Sequence, residues 1–219
     1  GNMKIALLGS TGFLGKVLLR KALDSGYQVK TLVRNPEKLG ELRDSVDIIQ
    51  GNIFESGKIT ETVKGTEVVI STIGPPQRNP KDPEKYKRAM ENLVIALEKQ
   101  HIKRFIHIGG AVHPGGENEN WTMGRRILRL FLQVVWKPGL VAKKLEWEVL
   151  KVSNLDWTLV RPPQITKGGS TGKVNADEKN LARTKINVED LSNFILAQIN
   201  SKNWIKKAPL VSSVRFLPQ

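Results

Sequence analysis

The sequence predicts an α/β fold, a doubly wound sheet of parallel strands with helices on both faces. Three observations carry that expectation. Short apolar runs recur from Lys4 to Arg161, and each gives way to a stretch of helical spacing. The first run, Ile5-Ala6-Leu7-Leu8, breaks into Gly9-Ser10-Thr11-Gly12-Phe13-Leu14-Gly15 and then becomes helical, so the glycines lie on a strand-to-helix turn. A helix between successive strands makes those strands parallel, joined by right-handed crossovers. The expected strand order is 3-2-1-4-5-6, within one unit spanning residues 3–219 of which 164–219 form mainly a substrate region.

The glycine turn is the first candidate site. Gly9 can supply the tight turn, Gly12 can let backbone N–H groups approach a pyrophosphate, and Gly15 can bring the helix close to the strand. Ser10, Thr11, Phe13 and Leu14 complete the segment, and the helix N-terminus faces the phosphates. Gln28–Val33 reads as strand two and ends at Arg34-Asn35-Pro36. A carboxylate at that point would bind the ribose of NAD, whereas arginine pairs with a 2′-phosphate, so Arg34 argues for NADP(H).

Val46–Asn52 reads as strand three, with a helix following through Ile59–Val63. Asn52 either contacts adenine or is a turn asparagine. Glu67–Gly74 is strand four; Thr72 and Gly74 stand at its carboxyl end, where cofactors bind in such sheets. The proline- and charge-rich stretch Gln77–Lys85 reads as a loop forming a rim. Arg88–Leu97 is helical, and His101–Gly110 is a turn and strand five ending in Gly109-Gly110. Trp121–Trp136 has the spacing of an amphipathic helix, read as a cover for the pocket, a dimer surface or a basic helix that touches membranes. Leu155–Pro163 supplies strand six, and the tail Lys202–Gln219 one further strand.

Composition narrows the chemistry. The 219 residues include no cysteine, which excludes a disulfide framework and a thiolate nucleophile. His101, His107 and His113 lack metal-ligand spacing. No apolar run approaches the ~20 residues needed to span a bilayer, and the N-terminus lacks a signal-peptide layout; the expectation is a soluble, cytoplasmic protein. The formal net charge of +14 attracts anions, whether a phosphorylated cofactor, nucleic acid or a membrane surface. No helix-turn-helix, zinc or RNP-like signature supports nucleic acid.

The G-x-x-G-x-x-G spacing, Arg34, the stretch Asn92-Leu93 to Lys103-Arg104-Phe105-Ile106, Arg161-Pro162 after strand six and Ile186-Asn187-Val188-Glu189-Asp190-Leu191 together resemble the NmrA-like, NAD(P)H-binding atypical short-chain dehydrogenases. The resemblance implies a Rossmann-like fold and a nicotinamide cofactor. It also implies a tyrosine acid or base, a lysine four residues later and a strand-five serine. Lys144 best matches that lysine, which leaves Leu140 at the tyrosine position and Gly109-Gly110 where the serine belongs. Proton delivery then falls to Lys144, His113 or water; a lysine near its ordinary pKa of about 10.4 is an adequate acid and a poor base. Gly109, Gly110, Pro162 and Lys144 are expected at the nicotinamide end. The implied function is hydride transfer from NADPH to a small flat acceptor, as in flavin reductase- and biliverdin reductase B-like members. The alternative is a redox sensor that holds NADP(H) without turnover and signals to a protein partner.

Overall fold

Residues 2–76, 81–113, 115 and 119–214 are described by the structure, a computed structural model. Its centre is a six-stranded sheet built from β1 (Lys4–Leu8), β2 (Gln28–Val33), β3 (Asp47–Gln50), β4 (Val68–Ser71), β5 (Arg104–Ile108) and β6 (Asp156–Val160), in the order β3-β2-β1-β4-β5-β6. Every pairing in it is parallel, from Lys4 opposite Gln28 to Ile108 opposite Val160. This is the expected Rossmann-like topology.

Strand alternation divides the core in two. Ile5 and Leu7 point to one face and pack with Leu14 and Leu18 of α1 (Phe13–Asp24). Ala6 and Leu8 point to the other, against Ile59 of α2 (Ser56–Val63) and Leu93 and Leu97 of α3 (Pro83–Lys99). Both faces are covered, so the central strands β1 and β4 read as continuous apolar runs rather than alternating ones.

After β5 the chain forms α4 (Met123–Val135) and α5 (Lys137–Lys151), with Trp136 between them. Beyond β6, β7 (Gln164–Thr166) pairs in parallel with β9 (Lys185–Asn187), and β8 (Val174–Asp177) pairs antiparallel with β10 (Leu210–Ser213). Helix α6 (Val188–Ala197) packs on α1 through Leu191 and Ile195.

Three local readings change. Helix α3 begins at Pro83, inside the stretch read as a loop, because proline at a first helical turn gives up an N–H that has no partner there anyway. Between β2 and β3 runs a 3-10 segment, Pro36–Ser45, interrupted at Gly40 (φ 56°). The helix read through Trp136 stops at Val135, and α5 begins directly beyond it. Residues 77–80 of the expected rim, and Phe216 in the tail, lie outside the described residues.

Candidate functional site

The glycine turn is built to bring backbone close to a ligand. Gly9 has φ +91°, and a Cβ there would stand 2.1 Å from Thr72 Oγ1. Thr72 fixes the turn by donating towards the carbonyls of Leu8 and Gly9, both at 3.2 Å. A Cβ on Gly15 would lie 1.7 Å from the Gly9 carbonyl oxygen, so only glycine lets α1 approach this closely. Around Gly12 the space is open, with nothing nearer to a Cβ than 3.7 Å. Gly12 caps α1 with no side-chain hydrogen bond and no acidic residue in the first turn, which leaves the helix N–H groups for an anion.

Ser10 does not face that opening. Its hydroxyl is buried 2.7 Å from Thr31 Oγ1, and Thr31 donates to the Leu7 carbonyl, so the side chain ties the turn to β2. Leu14 enters the core, and Phe13 is exposed with Lys167 Nζ 5.7 Å from its ring centroid.

From the turn a cleft of about 350 Å³ runs along the carboxyl ends of β1, β2 and β4. Its walls include Gly9, Thr11, Arg34, Lys38, Asn52, Phe54, Gly74 and Tyr86. Arg34, directly after β2, and Lys38 put two cations on the cleft wall; Lys38 was not found from sequence, although it lies two residues past Pro36 in a segment that folds back on the cleft. Asn52 Oδ1 accepts from Phe54 N–H at 2.9 Å, forming a turn, so it is its amide nitrogen that remains for the cleft. Cradle, cations and helix end fit a phosphorylated dinucleotide.

At the far end, the phase of α5 decides which lysine faces the sheet. Its buried positions are Gly139, Ala142, Glu146 and Leu150, a single helical face. Lys143 borders that face: Cβ atoms on Gly74 and Gly110 would stand 4.0 and 3.9 Å from its Nζ. Lys144, turned about 100° away, is exposed and lines a separate cavity with Val112, Arg129, Gln133, Lys137, Leu140 and Val141. Lys143 is half-buried, and desolvation lowers its pKa while the Glu146 carboxylate opposes the shift. Below it Glu146 Oε2 lies 3.5 Å from His107 Nε2, both side chains buried. That pair too was missed; the apolar neighbours of His107 in β5 were the available signal.

Four residues before Lys143 stands Gly139, where a Cβ would come within 2.0 Å of the Trp136 indole. The indole lies flat over the glycine, its Nε1–H donating to the Pro76 carbonyl at 3.0 Å, its ring centroid 6.0 Å from Lys143 Nζ. Gly110 faces Lys143, whereas Gly109 faces inward, where a Cβ would meet His113 Cδ2 and Leu159 at 3.1 Å. His113 is itself buried, its ring edge-on to Trp147 beneath the loop. Pro162 holds the same loop, its carbonyl accepting from Ala111 N–H at 2.9 Å.

Arg161 is wholly buried and works as a tie. It donates to the carbonyls of Ala208, His113 and Glu178 and to Glu119 Oε2 at 2.7 Å, and Glu119 Oε1 accepts from Arg125 of α4 at 2.7 Å. One carboxylate thus joins β6, the loop after β5 and α4.

Comparison with known proteins agrees with this geometry. Residues 9–202 match a family model described as NAD(P)H-binding. The chain is 26% identical over 215 residues to the uncharacterized sugar epimerase YhfK of Bacillus subtilis (strain 168), covering 94% of this chain and 92% of that one. It is 27% identical to anthocyanidin reductase of Arabidopsis thaliana over 75% of this chain, and spans 56% of that protein. Among solved structures, ChuY, an anaerobillin reductase from Escherichia coli O157:H7, superposes with a TM-score of 0.80 at 18% identity, covering 99% of this chain and 100% of that one, a likeness of fold.

Proposed function

The chain belongs to the NAD(P)H-binding family, and from that premise we propose that it is an NADPH-dependent reductase acting on a flat, conjugated acceptor. The observation that carries this reading lies just beyond the cleft wall at Gly74 and Pro76: Lys143 stands between Gly74 and Gly110, with an indole over Gly139 where a tyrosine–lysine arrangement would place its phenol. The reductase among its relatives supports the reaction class.

In this reading the glycine turn and the α1 N-terminus hold the pyrophosphate, and Arg34 and Lys38 take the 2′-phosphate. The bound cofactor supplies the hydride. Lys143 donates hydrogen bonds to the ribose hydroxyls, which a partly desolvated ammonium does more strongly than a hydrated one. Trp136 walls off water and presents a flat surface beside the acceptor. With glycine rather than a phenol four residues before Lys143, the acceptor that suits the site accepts hydride into a conjugated system and then a proton from solvent; orientation supplies most of the rate.

The test is NADPH oxidation, followed by the absorbance of the reduced nicotinamide, across flavins, quinones, conjugated carbonyls and simple aldehydes. Turnover is expected with the flat acceptors and not with the aldehydes. NADPH binding without turnover on any of them would instead make the protein a sensor of cofactor redox state.

A further inference from the structure

Helix α4 is inside out. Its one buried residue is Arg125, held against Glu119 with its guanidinium carbon 3.9 Å from the Trp121 ring centroid. Arg129 lies on the same side, 5.3 Å from that ring. The opposite face carries Met123, Ile127, Leu130, Phe131 and Val134, exposed by 71%, 59%, 63%, 58% and 84%. Positions i, i+4, i+7, i+8 and i+11 form one stripe along a 13-residue helix. A globular helix turns such a stripe inward, and a contiguous apolar stripe left outside marks a docking surface.

Charge says what it docks to. Residues 120–145 contain no Asp or Glu and six cations: Arg125, Arg126, Arg129, Lys137, Lys143 and Lys144. Three of them, Arg129, Lys137 and Lys144, line the cavity of about 440 Å³ between α4 and α5, and the exposed Arg126 borders the stripe one turn before Leu130. Arg125 is paired with Glu119 and Lys143 has Glu146 nearby, but a second copy would set Arg126, Arg129, Lys137 and Lys144 against their own counterparts, on chains already at +14. An apolar stripe edged by cations complements a surface that offers negative headgroups with acyl chains directly beneath them.

We propose that α4 lies in the plane of an anionic bilayer surface, its stripe among the acyl chains and Arg126, Lys137 and Lys144 at the headgroups. This is attachment to one leaflet: among the described residues no helix is long and apolar enough to cross a membrane. The proposal stands on α4 and its charges and is independent of the reaction assigned to the cleft.

Vesicle co-sedimentation of the full chain tests it, with phosphatidylcholine alone and with phosphatidylcholine mixed with phosphatidylglycerol. Binding is expected to be about tenfold or more tighter on the mixed vesicles and to weaken with added salt. The double variant Phe131→Gln/Val134→Gln should lose that binding while its thermal midpoint and its NADPH affinity stay unchanged, and Arg126→Glu should weaken it. Equal binding to both vesicle types, or none to either, overturns the proposal. So does a concentration-dependent dimer, seen by sedimentation velocity, that the double variant abolishes without any vesicle binding; the stripe would then belong to a second copy.

Discussion

Arg161 shows how one side chain can carry the order of a whole region. Its fork satisfies three carbonyls and shares Glu119 with Arg125, so a neutral replacement leaves the three carbonyls and one Glu119 oxygen without their donor in the interior. Arg161→Met is expected to cost about 3–5 kcal/mol in urea unfolding, the range for breaking a buried pair on one side. A loss below about 1 kcal/mol would mean the fork is dispensable. Lys143 has the opposite balance. Burial depresses its pKa, so its protonated form weakens the folded state; that penalty is complete below the folded pKa and fades as pH rises to the unfolded value of 10.5. Lys143→Met should therefore raise the thermal midpoint near neutrality, with the gain shrinking towards high pH. NADPH binding should weaken about tenfold, the worth of one charged hydrogen bond. A variant that loses stability and keeps its affinity would mean that the ammonium is structural.

Helix α6 shows the same logic at the scale of an element. Asn187 caps it, accepting from the N–H groups of Glu189 at 2.8 Å and Asp190 at 3.2 Å. Asp190, in the first turn, gathers the preceding loop: its carboxylate accepts from Ser170 Oγ, Thr171 Oγ1 and the N–H groups of Thr171 and Gly172. Burial raises its pKa, the hydrogen bonds together lower it by more, and the net shift is downward. A depressed carboxylate contributes stability that is whole above its unfolded pKa of 3.8 and drains away as pH falls through the folded value. Asp190→Asn should cost about 1–3 kcal/mol at pH 7 and nothing further once the acid form prevails in the unmodified protein; equal losses at neutral and strongly acid pH would refute it. The strands of the main sheet could be read from sequence because each apolar stretch is followed by one of helical spacing. Strands β7 to β9, three or four residues each, have no such alternation around them and mix polar with apolar residues. Taking the lysine of α5 from motif spacing alone favoured Lys144; the buried face through Gly139, Ala142 and Glu146 brings Lys143 to the sheet instead. Glu119 was invisible because Arg161 is 42 residues away and Arg125, six residues on, reads as the polar side of an amphipathic helix.

For the whole molecule, the cleft crosses the parts that hold the fold together. One set of walls comes from the turn after β1, the end of β2, the segment after β3 and the end of β4, and unfolding dissolves all of them at once. A ligand bound there recognises only the folded chain, so its affinity must appear as stability. At a concentration about 100 times its Kd, NADPH should add about 2.7 kcal/mol. For a chain of 219 residues that corresponds to a rise in melting temperature of about 5–10 °C. On the proposed reading, the charge pattern makes the rise larger for the phosphorylated cofactor. Arg34 directly follows β2 and Lys38 lies in the 3-10 segment after it, beside the point where an acidic residue would have favoured a bare ribose. NADH at the same concentration should therefore give a smaller rise, short by the roughly 1.5–3 kcal/mol of one charge-assisted pair. Arg34→Ala should bring the two cofactors together by lowering the NADPH midpoint and leaving the NADH midpoint in place. Equal shifts for NADPH and NADH in the unmodified protein would remove the 2′-phosphate from the argument, and a variant that loses both shifts would place Arg34 on a part of the cofactor that NADH shares.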